Sequence, residues 1–338
     1  MKVVVTGATG FLGAHLVRQL AQRGAEIHCI IRKPNPLVSE EEVKRLGLHL
    51  HTIPLIDHRV EVEALARVMD GAEFIYHLAG VFDPSPGGED RMVNLHVFGT
   101  RALLKAAQKA SVRRFVHCSS SITVPFGSKE SPATEAGWFD PTPIYGVSGA
   151  LRSYYNSKLQ SEDLVLGWHG IERVVVNPDY IIGSLDVKPT SGQLILSMAK
   201  HPVWFYPLGG KCFLGAEDCA QAHIAAAEKG RSGERYLLGW ENLSYLELMS
   251  MIAEVVGCSP PKFPIPYRAM KLAARLGKIA NRLDAHRFAG LEPQVLMSMQ
   301  QERYRDGSKM CQELGITPRP IYESIESAYR WFCQQGYC

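Results

Sequence analysis

A tyrosine and a lysine one helical turn apart are the first residues of the chain that could do chemistry together. Tyr154 and Lys158 occupy positions i and i+4 of a helical segment, so both side chains lie on one face. A phenol with its ordinary pKa of about 10 is a poor base at neutral pH. A neighbouring lysine ammonium favours the phenolate and lowers that pKa. We therefore predict that Tyr154 acts as a general acid or base and that Lys158 tunes it.

Three consecutive serines upstream of this pair offer hydroxyl groups. Ser119, Ser120 and Ser121 follow a predicted strand at 114–118. In a parallel sheet, the carboxyl ends of the strands form the edge where ligands bind. A serine hydroxyl at that edge can donate to a substrate carbonyl and stabilise charge that develops on its oxygen. From the residues alone, any of the three serines could take this role.

A glycine-rich turn near the start of the chain has the character of a phosphate-binding loop. It follows a predicted strand at 2–6 and leads into a helical pattern. Its first glycine permits a tight turn, its second lets backbone approach a phosphate, and its third lets the helix pack on the strand. The free N–H groups of the helix start then face the anion. We predict that a dinucleotide binds along this turn, at Thr6, Gly7, Thr9, Gly10, Phe11, Leu12 and Gly13.

The end of the second predicted strand indicates which dinucleotide binds. An NAD site places Asp or Glu there to bind the ribose 2′-hydroxyl, whereas this chain has Arg32 and Lys33. Two cations without an acid favour a 2′-phosphate, and we therefore predict NADP as the cofactor. NAD remains the alternative, in which both cations only solvate the end of the strand.

Six short apolar runs predict the sheet that must position these groups. They are continuous instead of alternating, which is typical of parallel strands buried on both faces. Helical patterns lie between them, for example Leu12, Leu16 and Leu20. This alternation predicts an α/β fold, a doubly wound parallel sheet of the Rossmann type. The runs lie at 2–6, 26–31, 48–53, 73–77, 114–118 and 172–176.

The pattern changes after residue 183, where loops and helices dominate. We predict a dinucleotide-binding domain at 1–183 and a smaller, mainly helical substrate lobe at 184–338. Two further strands are expected near 211–214 and 235–238, and the second of these may rejoin the first sheet. A capping box at 244–247 predicts the start of a helix.

Composition excludes several classes of protein. The 338 residues are 46% hydrophobic and carry a net charge of +3, which fits a globular chain and gives no electrostatic case for binding nucleic acid or an anionic membrane. No apolar run approaches the 18 or so residues that a transmembrane helix needs. The eight cysteines form no C-x-x-C pair, and their scatter favours reduced thiols over a metal site. We expect a cytoplasmic protein without a metal.

A basic stripe in the second half lies beside apolar residues at helical spacing, within 268–283. A stripe of this kind could rest on an anionic membrane or admit a lipid-like substrate. The solvated back of a lobe helix is the simpler interpretation and the one we prefer. The cations are Arg268, Lys271, Arg275, Lys278 and Arg282, and their apolar neighbours are Leu272, Leu276, Ile279 and Leu283.

Further motifs join the glycine turn, the serine strand end and the Y-x-x-x-K pair. Residues 77–80 are similar to an H-x-A-[AG] motif, and 94–100 to an N-x-x-G-T helix with a longer gap between asparagine and glycine. Residues 177–183 and 217–220 resemble a proline segment at the nicotinamide and an acidic turn. With these motifs the chain resembles the short-chain dehydrogenase/reductase superfamily. Within it, the chain looks like the extended branch, the NAD-dependent epimerase/dehydratase family.

The resemblance implies roles for particular residues. Tyr154 would be the general acid/base, Lys158 would also hold the nicotinamide ribose, and Ser121 would polarise the substrate oxygen, with Ser120 as the alternative. Asp57 would stand near the adenine, although its surroundings depart from the family's G-D-[LV] pattern. A homodimer is also implied. The remaining cofactor contacts would be Leu78, Ala79, Gly80 and Pro178.

Three functions compete. The first is a reductase or dehydrogenase that moves a hydride between nicotinamide and a secondary alcohol or ketone, as in dihydroflavonol reductases and 3β-hydroxysteroid dehydrogenases. Trp204 and Tyr206 would then line a pocket for a bulky, largely apolar substrate. The second is a nucleotide-sugar epimerase with tightly bound NAD, resembling hopanoid-associated sugar epimerases, where Lys188 would bind an anionic group. The third is an NADP-sensing regulator on the same fold, which the presence of Tyr154 and Lys158 disfavours.

Overall fold

The computed structural model describes residues 1–32, 40–56, 60–283 and 293–338, with side chains throughout except at 278–283 and 293. The strands are β1 (Lys2–Thr6), β2 (Glu26–Ile31), β3 (Leu48–Thr52), β4 (Phe74–His77), β5 (Arg114–Cys118), β6 (Glu172–Pro178), β7 (Tyr180–Ile182), β8 (Phe205–Tyr206), β9 (Gly210–Gly215), β10 (Arg235–Leu238), β11 (Glu241–Ser244), β12 (Phe263–Pro264) and β13 (Glu302–Arg303).

The helices alternate with these strands in the first half of the chain and dominate the second half. They are α1 (Phe11–Gln22), α2 (Glu40–Leu46), α3 (Val62–Met69), α4 (Gly88–Val93), α5 (Thr100–Lys109), α6 (Thr142–Tyr145), α7 (Ala150–Leu166), α8 (Gln193–Lys200), α9 (Ala216–Lys229), α10 (Tyr245–Val256), α11 (Tyr267–Leu283), α12 (Pro293–Ser298), α13 (Ser308–Leu314) and α14 (Ile321–Gln334). A π-helical turn at Asn94–Gly99 joins α4 to α5, and Ser121–Thr123 form a 3₁₀ turn.

A parallel sheet of seven strands forms the centre of the protein, in the order β3-β2-β1-β4-β5-β6-β10. The strand order reverses between β1 and β4, so their carboxyl ends open a crevice, as in other doubly wound sheets. This confirms the predicted fold. The six predicted strands agree with the observed ones within one or two residues.

Burial on both faces explains why these strands read as continuous apolar runs. In β1, Val3 and Val5 pack into the core under α1 and α9, while Val4 packs into the opposite core under α3 and α5. All three side chains are fully buried. Burying a valine of this kind contributes roughly 1.5–3 kcal/mol, so the register of β1 is strongly specified.

The chain beyond residue 183 divides between the sheet and the second lobe. β10 pairs in parallel with β6 and completes the large sheet, and α9 packs on α1. In the lobe, β9 pairs with β7, β11 and β13. The lobe core lies under α8, α10 and α14. No helix in the described ranges is both long and apolar enough to cross a membrane.

The second lobe keeps one local signal that the sequence predicted. The side chain of Ser244 accepts a hydrogen bond from the backbone of Glu247, and the Glu247 carboxylate accepts one from the backbone of Ser244. This capping box starts α10, which ends at Gly257 in the left-handed conformation. The helix thereby begins and ends where its sequence indicates.

Candidate active site

The glycine turn between β1 and α1 is shaped by two close backbone approaches. Gly7 has φ +74°, and a Cβ there would lie 2.7 Å from the backbone nitrogen of Ala79. A Cβ at Gly13 would overlap the carbonyl oxygen of Gly7. The N–H of Gly10 donates to that same oxygen at 2.9 Å. Only glycine fits at positions 7 and 13, because a larger residue would push the strand, the turn and the loop after β4 apart.

The turn fits a pyrophosphate group. Phe11, Leu12 and Gly13 form the first turn of α1, and their N–H groups have no acceptor within the helix. Gly10 stands at the N-cap without a side chain that would cover them. The predicted phosphate contacts therefore lie on one loop, with their donors directed to the place where an anion would bind.

A buried histidine ties this loop to the neighbouring strand. The Thr6 hydroxyl donates to Nδ1 of His77 at 2.7 Å, and Nε2–H of His77 donates to the Thr100 hydroxyl at 2.9 Å. The N–H of Ala79 donates to the Thr6 oxygen. This chain of bonds occupies the Thr6 hydroxyl inside the protein. It fixes Leu78, Ala79 and Gly80 beside the turn.

The residues predicted to select the cofactor are only partly described. Arg32 follows β2 directly and is exposed to solvent. Lys33 and Asp57 lie outside the described residues. Of these three residues, only Arg32 lies in the described part of the chain, and it places a cation at the carboxyl end of β2.

Tyr154 and Lys158 lie on α7, which packs against β6 and the π-helical turn. The Lys158 ammonium donates to the carbonyl oxygen of Cys118 at 3.1 Å, at the end of β5. A Cβ at Gly80 would lie 3.2 Å from Lys158 Nζ, so Gly80 leaves room for the ammonium. Burial lowers the pKa of Lys158. The predicted pair thus stands at the carboxyl edge of the sheet.

The phenol of Tyr154 lies between two aromatic rings and the loop at residues 119–121, which follows β5 and which we call the serine loop. The rings of Phe82 and His96 meet it edge-on at 5.6 Å and 5.7 Å between centroids. Desolvation by these surroundings raises the pKa of Tyr154 to about 12, opposed by a hydrogen bond from Ser120. The lowering of this pKa that the sequence predicted is therefore not found, and the phenol holds its proton at neutral pH as an ordinary tyrosine does.

Of the two candidate serines, Ser120 is the one whose side chain acts on the pKa of the phenol. Its hydroxyl interacts with Tyr154 and accepts from the N–H of Ile122 at 3.3 Å. Ser121 begins the 3₁₀ turn with its side chain buried, and its carbonyl accepts from Arg305 at 2.8 Å. The geometry therefore associates the alternative serine of the prediction with the tyrosine.

The π-helical turn explains the longer gap in the N-x-x-G-T motif. His96, not Asn94, stands three residues before Gly99. Its Nε2 accepts from the N–H of Val81 at 3.0 Å, so its Nδ1–H donates to the Ser157 hydroxyl at 2.9 Å. Burial lowers the pKa of His96 to about 2 and keeps the ring neutral. His96 thereby links the loop after β4 to the helix that carries the catalytic pair.

A buried glutamate that sequence reasoning missed lies one turn beyond Lys158 on α7. The Glu162 carboxylate accepts from Thr123 Oγ1 at 2.9 Å, from Asn177 Nδ2 at 2.8 Å and from Arg235 at 2.8 Å. It therefore joins α7 to the serine loop, to β6 and to β10. Its i+4 spacing from Lys158 was the signal that could have identified it.

A buried ion pair, also missed, fixes the loop after the serines. Arg305 pairs with the Asp179 carboxylate at 2.5 Å and donates to the carbonyl oxygens of Ser121, Val124 and Pro125. Asp179 directly follows Pro178, the last residue of β6. Because residue 305 lies far along the chain, no local pattern predicts this contact.

The structure does not bring the predicted substrate residues together. Lys188 is exposed, and the Trp204 side chain is more than half exposed. Tyr206 packs its ring against the core of the second lobe. The described contacts therefore connect none of the three with Tyr154.

Comparison with known proteins places this arrangement in a family. The chain is 29% identical to sterol demethylase protein B of Methylococcus capsulatus over 343 residues, which cover 99% of both chains. It is 27% identical to cinnamoyl-CoA reductase 2 of Medicago truncatula over 282 residues, 78% of each chain. The structure of a nucleoside-diphosphate-sugar epimerase from Pseudomonas aeruginosa matches with a TM-score of 0.77 and 25% identity, covering 100% of this chain and 99% of that one.

The family model of NAD-dependent epimerases and dehydratases matches residues 3–239. That range includes the glycine turn, the serine loop, the tyrosine–lysine pair and the returning strand β10. The chain belongs to the NAD-dependent epimerase/dehydratase family.

Proposed function

We propose that the protein is an NAD(P)-dependent oxidoreductase that moves a hydride between nicotinamide and a secondary alcohol or ketone of a bulky, largely apolar substrate. The observation that carries this proposal is the placement of the Tyr154 phenol at the carboxyl edge of the sheet, with the buried Lys158 ammonium one helical turn away on α7. An acid of this kind suits delivery of a proton to a carbonyl oxygen that becomes an alkoxide.

In the reductive direction each residue has one task. A bound nicotinamide supplies the hydride, which adds to the carbonyl carbon. The Ser120 hydroxyl donates to the carbonyl oxygen and stabilises its developing charge. Tyr154 gives its phenolic proton to that oxygen and regains one from solvent. Lys158 favours the transient phenolate through its charge.

The cofactor would lie along the glycine turn, with its pyrophosphate at the start of α1. Leu78, Ala79, Gly80 and Pro178 would line its nicotinamide end, because they follow β4 and end β6 at the same sheet edge. We propose NADP over NAD on account of Arg32. Reversing that charge in Arg32→Glu should raise the KM for NADPH about tenfold or more and leave the KM for NADH within a few-fold.

The names of similar proteins support the substrate class. Both a sterol demethylase protein and a cinnamoyl-CoA reductase are named for substrates with large apolar or aromatic parts. A nucleotide-sugar epimerase remains the second candidate, because the match to such a structure covers the whole chain. Mass spectrometry of the nucleotide that copurifies with the protein distinguishes the two functions. Retained NAD supports the epimerase, and exchangeable NADP supports the reductase.

The compartment and assembly belong to the same proposal. We propose a cytoplasmic homodimer: the family resemblance implies the dimer, and the scattered cysteines favour a reducing compartment. Light scattering at micromolar concentration would give twice the monomer mass of 37.5 kDa, and a monomer would contradict this part.

Tyr154→Phe tests the catalytic role. Removing the proton that Tyr154 donates should lower kcat by roughly 10²–10⁴-fold, measured by NADPH oxidation with an aromatic ketone. Tyr155→Phe is the matched control, because Tyr155 packs among Phe139 and Tyr145 instead of facing the site. Normal turnover by Tyr154→Phe would contradict the assignment and support a regulator that only senses the dinucleotide.

A further inference from the structure

A group of large apolar side chains in the second lobe faces solvent, and we call it the docking surface. Each member is between 53% and 58% exposed. Only Trp138 and Val147 among the other large apolar residues of the described ranges are more than half exposed. A soluble protein seldom gathers exposed apolar groups in this way without a partner. The docking surface consists of Trp204, Phe205, Leu208, Phe263, Tyr267, Leu272 and Leu276.

A short two-stranded ribbon holds the aromatic half of the docking surface. β8 pairs with β12, and the N–H of Phe263 donates to the carbonyl oxygen of Trp204 at 3.0 Å. The rings of Phe205 and Phe263 lie 5.9 Å apart between centroids. Tyr206 points the other way, into the lobe core. The exposed rings are therefore fixed to the core by their own backbone.

Helix α11 carries the rest of the docking surface, and its exposed face combines apolar and basic side chains. Met270 and Ala274 are buried against the lobe. On the outer side Leu272 and Leu276 are exposed, next to the cations of the same helix. Tyr267 follows Phe263 by four positions, a span of at most about 14 Å. Helix α11 therefore begins next to the ribbon and carries Leu272 and Leu276 away from it.

The chain segments that carry the docking surface contain no acidic residue. No Asp or Glu occurs at 187–216 or at 255–283, although the whole chain is nearly balanced at +3. The cations of the docking surface are Lys262, Arg268, Lys271 and Arg275. The last three are exposed side chains on α11. Within the described part of the chain, no ion pair neutralises any of these four.

We propose that the docking surface binds the surface of an anionic phospholipid bilayer. Trp204, Phe205 and Phe263 would enter the headgroup region, where aromatic rings are favoured. Leu272 and Leu276 would reach the acyl boundary, and the cations of α11 would meet lipid phosphates. A second copy of this chain fits poorly, because a two-fold contact would bring the basic helix face against itself.

The docking surface is linked to the candidate active site. α11 packs on α12, and α12 packs on α6. The Gln294 amide of α12 donates to the carbonyl oxygen of Ser148, two residues before the catalytic helix begins at Ala150. A bilayer-dissolved substrate would then enter next to α7. That consequence rests on the proposed function, whereas binding to the bilayer does not.

Flotation of the full chain with vesicles tests the proposal without cofactor or substrate. At about 50 mM salt the protein should float with phosphatidylcholine vesicles that contain roughly 30 mol% phosphatidylglycerol, and much less with phosphatidylcholine alone. About 500 mM salt should release most of it, because the screening length becomes shorter. A protein that stays in the aqueous fraction with anionic vesicles at low salt would overturn the proposal.

Charge reversal identifies the surface. The triple variant R268E/K271E/R275E should lower the partition coefficient at least about 100-fold. The control K44E/R67E/R330E makes the same change of charge at exposed cations elsewhere and should float like the unmodified protein. Equal loss in both variants would show a nonspecific charge effect and overturn the proposal.

Apolar truncation separates a bilayer from a protein partner. W204S/F263S should lower vesicle binding about tenfold or more and leave the mass by light scattering unchanged. A fall from dimer to monomer would show that the surface is a contact between copies. Tyr154→Phe should bind vesicles normally whether or not the proposed reaction is right, so the two proposals fail separately.

Discussion

Burial among the aromatic rings and the serine loop raises the pKa of Tyr154, so its proton is costly to give up without help. The phenol needs a donor nearby to share the charge that develops when it gives this proton up. We propose Ser120 as that donor, with the buried Lys158 ammonium one helical turn away on α7. At the residue scale, these two groups are the ones expected to stabilise the charge.

Single substitutions at the two serines should have unequal effects. Ser120→Ala removes the hydroxyl beside the phenol and should lower kcat roughly 10²–10³-fold, with little change in nucleotide affinity. Ser121→Ala, where the buried side chain lies at the start of the 3₁₀ turn, should lower kcat less than about tenfold. Steady-state kinetics at saturating NADPH measures both. The reverse order would return the role to Ser121.

At the scale of elements, the strand–turn–helix unit at the start of the chain depends on a glycine with no room for a side chain. Gly7 and Gly24 have nearly equal φ values of +74° and +71°, but a Cβ has nothing within 4 Å at Gly24 and meets backbone at Gly7. Gly24→Ala should cost about 1 kcal/mol of unfolding free energy. Gly7→Ala should cost about 1–3 kcal/mol more and abolish nucleotide binding.

Urea unfolding and titration with NADPH check this pair of variants. The backbone conformation is common to both positions, so the difference between them isolates the close approach to Ala79. Equal costs and equal nucleotide affinities would mean that the turn adjusts to a methyl group.

The π-helical turn between α4 and α5 positions the helix that carries the catalytic pair. Because His96 bonds both Val81 and Ser157, His96→Ala should lower kcat about tenfold or more by releasing α7 from the loop after β4. His96→Asn retains a donor and an acceptor and should recover most of that loss. If the kcat of His96→Asn is no higher than that of His96→Ala, then His96 has only a packing role.

At the scale of the whole molecule, buried neutral histidines make the fold sensitive to acid. Burial lowers the pKa of His77 to about 3 and that of His223 to about 4, and it also holds the pKa of His117 well below its ordinary value. The unfolded chain binds protons at these histidines near its ordinary pKa of about 6.5. Because the unfolded state then holds more protons, stability is lost as the pH falls below that value.

Each of these buried histidines should cost about 1.4 kcal/mol of unfolding free energy for each pH unit below about 6. Urea midpoints measured between about pH 7.5 and 5, the range over which histidines of the unfolded chain become charged, report this loss. His223→Gln removes one of these groups and should make the slope shallower by about 1.4 kcal/mol per pH unit. A midpoint that stays constant down to pH 5 would contradict this account.

The sequence by itself determined the large sheet and the helix face that Tyr154 and Lys158 share. Continuous apolar strands, the glycine spacing and the i, i+4 pair are local patterns. Local hydrogen bonding and burial on two faces determine which structure each of these patterns forms. The sheet, six of its strands and the capping box were predicted for this reason. The placement of Tyr154 and Lys158 at one sheet edge also agrees with the prediction.

Only the tertiary structure decided which groups meet across the chain. It brought Ser120 to the phenol, put His96 in the asparagine position through a π-helical turn, and buried the Arg305–Asp179 pair under the serine loop. It also separated Trp204 from the predicted pocket and set it on the docking surface. Contacts between residues of different elements depend on how those elements pack, and no local spacing records that packing.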